Sequence, residues 1–323
     1  MYFNELTLKA AGNSNKKWSN LFKFRKLTLV PIDIKKESKF YFIGSCFAEY
    51  LRMSMERETA RDFYPAFKEL KFDSKNEMAD TINIGKFHMN YYSSASILQE
   101  FQRSWYGNSK WPPIEVQNLS IINGKKVIES GAICYQDPYR REVFANSNNQ
   151  IFNLSSNISE CVKTGLKKAN VFIITLGLVE IFRSKKTGLV FNQFPGYSGV
   201  GYTSEDLEFH RQSAVDVITD LKNIVKLIKN INNDNKIVFS VSPVPLQMTF
   251  SRDDVFVANM YSKSTLRSAV ESVIDPDHGI YYFPSYEIAM NIGSDFFQER
   301  DMRHAKEKYV DLIIKAFLKC LRD

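Results

Sequence analysis

The sequence predicts a three-layer α/β fold with a mostly parallel sheet and an inserted cap, on three observations. Lys39–Gly44, Val171–Thr175, Lys236–Val241 and Gly279–Phe283 are apolar runs of strand length with little alternation, as expected of strands buried on both faces. Segments between them repeat apolar residues at helical period, and strands alternating with helices or long crossovers build parallel sheets. The composition, 44% hydrophobic and 24% charged over 323 residues with Gly 14 and Pro 10, is that of a compact globular protein and excludes a disordered tail or a minimal scaffold.

The elements follow in order. After the first apolar run, Ser45–Leu51 has the spacing of a helix start. Asp62–Asn90 is irregular, and Ser93–Trp105 reads as a short helix with Ile97, Leu98 and Phe101 on one side. Tyr106–Ser156 carries Pro112-Pro113, an Asn123-Gly124 turn signal and Asp137-Pro138-Tyr139-Arg140, which read as hairpins and loops. Residues 106–156 are therefore expected to be a cap or insertion in one domain spanning 1–323. A helix is expected from about Ser156 to Lys168, a second through Ala214, Val217, Leu221, Ile224 and Ile228, and a third through Leu266, Ala269, Val270, Val273 and Ile274. A last one carries Val310, Ile313, Ile314, Phe317 and Leu321.

Charge and cysteine usage limit the partners. Lys and Arg exceed Asp and Glu by 43 to 36, but the excess is spread along the chain. No zinc-finger spacing, glycine-rich phosphate loop or aromatic-interleaved basic stretch accompanies it, so no nucleic-acid partner is expected. Cys46, Cys134, Cys161 and Cys320 are far apart and form no CxxC pair, which suits a reducing, cytoplasmic setting. Met1–Pro31 is polar and basic and reads as lacking a signal peptide. The longest apolar stretch, Val171–Phe182, is broken by Glu180 and falls short of the ~20 residues of a membrane-spanning helix. Nothing calls for a metal or other cofactor, and the oligomeric state is left open.

Ligands of open α/β sheets sit at the carboxyl ends of the strands. That rule selects Gly44-Ser45-Cys46, Thr175–Glu180, Ser242–Pro245 and Phe283–Glu287. Cys46 falls in the first turn of the helix after the first strand, where free N–H groups favour a thiolate; it is either a nucleophile or a small core residue. Ser45 is a competing nucleophile and a candidate N-cap. Of the four histidines, His210 and His278 read as solvated and His88 as a possible pocket residue. His304 follows Asp301 in Asp301-Met302-Arg303-His304, a spacing that lets a carboxylate fix an imidazole tautomer.

Gly44-Ser45-Cys46-Phe47-Ala48 resembles the five-letter signature of the GSCFA domain family. Thr175–Glu180, Val241–Leu246, Tyr261–Ser264 with Leu266-Arg267, Tyr282–Ile288, Asp137–Arg140 and Pro195-Gly196 resemble further family blocks in the same order. That family is grouped with the SGNH or GDSL-like hydrolases, so the resemblance implies a flavodoxin-like α/β/α sandwich. It also puts Cys46 at the nucleophile position and Asp301 and His304 on the superfamily's Asp-x-x-His. The superfamily's Gly-x-Asn-Asp block is matched by Gly177-Leu178-Val179-Glu180, which lacks the oxyanion-stabilising asparagine. The Cys46 N–H, Gly85 or the Asn90 side chain would then have to serve. Glu180 is expected to bind substrate or to pair with Arg183 or Arg267. Lys263 is expected either to face an acidic sugar or phosphate or to lie on a helix surface, and Gly177 and Ser242 are placed beside the substrate.

The activity so implied is ester hydrolysis or acyl transfer on an acylated carbohydrate or carrier-bound acyl group. Acyl-CoA is one possible donor, and surface polysaccharide synthesis in bacteria the associated setting. The alternatives are a non-catalytic carbohydrate-binding or assembly protein on the same fold, and a glycosyltransferase, which the lack of a metal-binding Asp-x-Asp disfavours.

Overall fold

The computed structural model describes residues 32–35, 37–67, 90–107, 111–117, 120–122, 125–127, 131, 133–141, 143–192 and 206–322. The central sheet contains β1 (Phe40–Gly44), β2 (Phe63–Tyr64), β3 (Val171–Leu176), β4 (Lys236–Val241) and β5 (Ile280–Phe283) in the order β5-β4-β3-β1-β2. Every pairing in it is parallel. This is the flavodoxin-like order, in which the chain turns one way from β1 and the other way from β3.

Alternation along each strand sends residues to two cores. Tyr41 and Ile43 of β1, Phe172 and Ile174 of β3, and Ile237 and Phe239 of β4 face one core. That core is filled by α2 (Ser94–Tyr106), α3 (Asn148–Lys168), α4 (Ala214–Ile231) and α5 (Val255–Glu271). Phe40, Phe42, Val171, Ile173 and Val238 face the other core, where α1 (Cys46–Glu58), α6 (Ser285–Ile292) and α7 (Glu307–Cys320) close the third layer. Two apolar faces account for the unbroken hydrophobic runs.

Several elements differ from expectation. β2 lies inside a stretch that reads as irregular, because a two-residue edge strand has no period to detect. The third helix begins at Asn148 rather than Ser156: Ser147 caps it by accepting from the Gln150 N–H at 3.3 Å, and burial of Ile151 and Leu154 overrides the poor helix propensity of its asparagines. α5 starts at Val255, behind Asp254, whose carboxylate accepts from the Phe256 N–H at 2.8 Å, and ends before Val273. Its first turn, Val255-Phe256-Val257, is exposed and so shows no amphipathic pattern. The run after β3 is no continuation of that strand. Glu180–Ser184 pairs antiparallel with Val190–Phe191 and Leu207–Arg211 in a separate three-stranded sheet. The strands at 120–122 and 125–127 pair as a hairpin, while the Asn123-Gly124 turn itself, Pro195-Gly196, Gly85 and His88 lie outside the described residues.

The Asp137–Arg140 block is an anchor. Fully buried Arg140 donates to both carboxylate oxygens of Glu100 on α2, at 3.0 and 2.6 Å, and to the Ser155 carbonyl and Ser159 Oγ on α3. Arg103 pairs with Asp137 at 2.8 Å. Burial alone would push both carboxylates up, but the two guanidiniums hold Glu100 and Asp137 below their ordinary range. Replacing Arg140 with Met strands Glu100 as an unpaired buried charge and should cost about 3–5 kcal/mol in urea unfolding.

Gly44 lies close against β3, where a side chain has no room. It has φ +140°, and a Cβ there would lie 2.2 Å from the Thr175 carbonyl oxygen. Gly44→Ala should therefore lower stability by about 2 kcal/mol or more in the same measurement.

Candidate active site

The strand order reverses between β1 and β3, and a cleft of about 570 Å³ opens at their carboxyl ends. Ser45, Cys46, Gly177, Glu180, Ser242 and His304 line it together. These come from four separate segments, joined because Ser45 N–H donates to the Thr175 carbonyl at 2.9 Å and Ser242 N–H to the Leu176 carbonyl at 2.8 Å.

Ser45 is buried at the N-cap of α1, where its Oγ accepts from the Phe47 N–H at 3.3 Å. Its hydroxyl is thus occupied with the cap. Cys46 is the first helical residue, and its thiol does not gain the easy ionisation that a helix start suggests. Burial pushes the thiol above its ordinary value; Arg303 and Arg141 oppose this, Glu49 adds to it, and Lys263 opposes it. Desolvation outweighs the neighbouring cations together.

His304 sits in the loop before α7 and is partly exposed. Its Nδ1 meets Asp301 Oδ2 at 2.5 Å, while Asp301 Oδ1 accepts from the backbone N–H groups of Arg303 at 2.9 Å and His304 at 3.0 Å. These N–H groups and the imidazole hold the Asp301 carboxyl well below the usual range. With the Nδ1 proton assigned to that contact, Nε2 is the nitrogen left to exchange a proton. No hydrogen bond joins Cys46 to His304 among the described residues.

Three expectations need correction. Asn90 is buried and absent from the lining; its Nδ2 donates to Glu49 at 3.3 Å, so it is committed elsewhere than to an oxyanion. Lys263 lies neither on a helix surface nor in the cleft. It is fully buried, with Nζ on the carbonyls of Gly177 at 2.7 Å and Val244 at 2.8 Å, tying the loops after β3 and β4 together. Burial drives it down to about 7, an effect that Cys46 opposes and Arg303 reinforces. Glu180 pairs with neither expected arginine: its carboxylate accepts from Thr249 Oγ1 at 2.5 Å and the Phe250 N–H at 3.0 Å, while Arg267 engages Glu271 and Glu287. Glu180 thereby fixes the loop that brings Phe250 to the cleft wall. Ser242 Oγ accepts from the Val244 N–H at 3.3 Å and shapes its own turn. The Gly177 N–H donates to the Tyr92 carbonyl at 2.8 Å.

Glu49, Arg141 and Arg303 also line the cleft, and the sequence did not single them out. Arg141 follows the Asp137–Arg140 anchor directly, and Arg303 lies inside the Asp-x-x-His spacing. Adjacency to those blocks was the available signal.

The thiolate is the species that alkylates, so a raised thiol predicts slow modification at neutral pH. The Cys46 iodoacetamide rate, followed by peptide mass spectrometry, should rise with a midpoint above the ~8.5 of a free cysteine. Glu49→Gln should move that midpoint down and Arg303→Gln should move it up.

Comparison with curated proteins finds no match. Among solved structures the chain is similar to an acetyl esterase mutant with acetate ion, at TM-score 0.27 and 10% identity, over 49% of this chain and 65% of that one. The chain thus spans just under two thirds of the esterase's length. The GSCFA family model matches residues 39–317, nearly the whole described chain, and the protein belongs to the GSCFA family.

Proposed function

We propose that the protein is an acyl-ester hydrolase or acyltransferase in which Cys46 is the nucleophile, His304 the general base and acid, and Asp301 the group that orients it. The observation that carries this reading is a thiol and a carboxylate-held imidazole opening into one cleft at the reversal point of the sheet. Cys46 Sγ gives its proton to His304 Nε2 and attacks the acyl carbonyl, whose electron pair moves to oxygen. When the tetrahedral intermediate collapses, the bond from the acyl carbon to the ester oxygen (or, for acyl-CoA, to the CoA sulfur) breaks, that leaving atom takes the proton from His304, and a thioester to Cys46 remains. Water or a hydroxyl acceptor then loses its proton to His304, attacks the thioester and releases Cys46. The Cys46 N–H opens α1 and has no intrahelical acceptor, which suits it to stabilise the developing oxyanion.

The raised thiol fits a mechanism in which the proton leaves as the bond forms. The substrate we propose is an acylated carbohydrate or carrier-bound acyl group, with acyl-CoA as a candidate donor, in bacterial surface polysaccharide synthesis. Tyr92, Phe182, Phe191 and Phe250 give the cleft aromatic walls of the kind that sugar and acyl groups pack against.

The test is incubation with p-nitrophenyl acetate and acyl-CoA donors, read by intact mass and peptide mapping. An acyl adduct on Cys46 is expected, absent in Cys46→Ala. His304→Ala should slow its formation about 10²–10⁴-fold, while Ser45→Ala should keep it on Cys46. Absence of any variant-sensitive adduct or turnover would defeat the catalytic reading and favour a carbohydrate-binding role.

A further inference from the structure

Large apolar side chains open to water gather at one place on the described surface. Tyr50 at 47%, Met53 at 38%, Met248 at 43% and Phe250 at 42% exposed all line the cleft that holds Cys46. Tyr50 and Met53 stand one and two turns after Cys46 on α1, so the three share one helix face. They form a row that leads out from the thiol. Glu49 lies beside that row and accepts from Asn90 Nδ2 at 3.3 Å. Arg57, a further turn along the same face, ends the apolar row.

Another wall is the loop between β4 and α5, whose polar groups fix its course. The Pro245 carbonyl accepts from Arg303 Nε at 3.2 Å, and the Leu246 N–H donates to Asn259 Oδ1 at 3.1 Å. Glu180 takes Thr249 Oγ1 and the Phe250 N–H. Phe182 meets Phe250 edge-on, with ring centroids 4.8 Å apart. The loop thereby presents Leu246, Met248 and Phe250 to the cleft. Methionines adapt to the shape of an apolar ligand, and an apolar patch left open to water marks a binding groove.

The row begins at the thiol, so what covers it is the part of the substrate bonded to the reacting carbonyl. The cleft, at about 570 Å³, is of the size that holds a drug-sized ligand, far more than an acetyl group fills. From Cys46 to Met53 the helix rises ~10 Å, and an extended hydrocarbon with bonds of ~1.5 Å advances ~1.3 Å per carbon. We infer that this row is an acyl-chain groove, and that the ester or thioester taken by the site carries a linear hydrocarbon chain of about eight carbons. The inference rests on Cys46 as the reacting group of the proposed function and names the acyl group of its substrate.

N-alkylmaleimides test the groove without turnover, because the ethyl, butyl, octyl and dodecyl reagents present one reacting ring to one thiolate. Each rate at Cys46, read by peptide mass spectrometry, is divided by that reagent's rate with glutathione at the same pH. Comparison along the series then cancels the ionisation of the thiol. A fully buried methylene is worth about fourfold and a half-covered one about twofold. The quotient should therefore rise about tenfold or more from ethyl to octyl and level off beyond it. The octyl-to-ethyl ratio should fall about threefold or more in Met53→Gln and in Met248→Gln, and hold in Val215→Gln at the exposed start of α4. Circular dichroism checks that each variant folds.

A flat series overturns the proposal, and so does a slope that both methionine variants leave unchanged. Faster acylation of Cys46 by p-nitrophenyl octanoate than by p-nitrophenyl acetate assigns the chain to the acyl group. An equal or slower rate, with the maleimide slope intact, places the chain on the leaving group and overturns the assignment. A variant-sensitive slope with no acyl adduct from any donor leaves the hydrocarbon groove standing and removes the acyl-transfer reading instead.

Discussion

The contact between Gly44 and the Thr175 carbonyl is the constraint on which the rest of the site depends. Only a residue without a side chain lets β1 end flush against β3 at φ +140°. That closeness allows the next residue's N–H to bond Thr175 and the helix to start at once. Ser45 and Cys46 are thereby set at the reversal point of the sheet. The segment at 90–92 is held by the same ends: Tyr91 N–H donates to the Gly44 carbonyl, and the Tyr92 carbonyl takes the Gly177 and Leu178 N–H groups. Strand ends, helix start and crossing segment form one hydrogen-bonded floor.

Much of this was legible in the sequence because it repeats. Alternating burial across a doubly covered sheet writes long apolar runs, and these gave the four longest strands of the central sheet within a residue or so of their observed bounds. The pair Asp301 and His304 was legible as a spacing, since a turn of that length must return the carboxylate to the ring. What escaped has no period. β2 is two residues long, the small sheet at 180–211 continues an apolar run across a change of direction, and the first turn of α5 is apolar and exposed. Lys263 escaped because buried lysine is rare; only the loops it joins, distant in sequence, explain it. The ionisation of Cys46 was misread for a related reason, since helix position is local and burial is not.

Burial also explains how the charges of the cleft divide their work. Where a cation is fully enclosed with carboxylates, as Arg140 is with Glu100, the pair fixes structure and faces no ligand. Lys263 is enclosed with carbonyls instead, so its charge is uncompensated and burial drives it down to about 7. Near neutral pH a proton on Lys263 and a proton on Cys46 are therefore coupled. Ionising the thiol favours the ammonium, and deprotonating the lysine removes one of the cations that make a thiolate tolerable. A nucleophile placed above such a floor is held as a thiol at rest and gains a counter-charge as its proton leaves. Arg141 and Arg303 line the same cleft and are only partly buried. Full enclosure is thus what makes the charge of Lys263 sensitive to the state of Cys46.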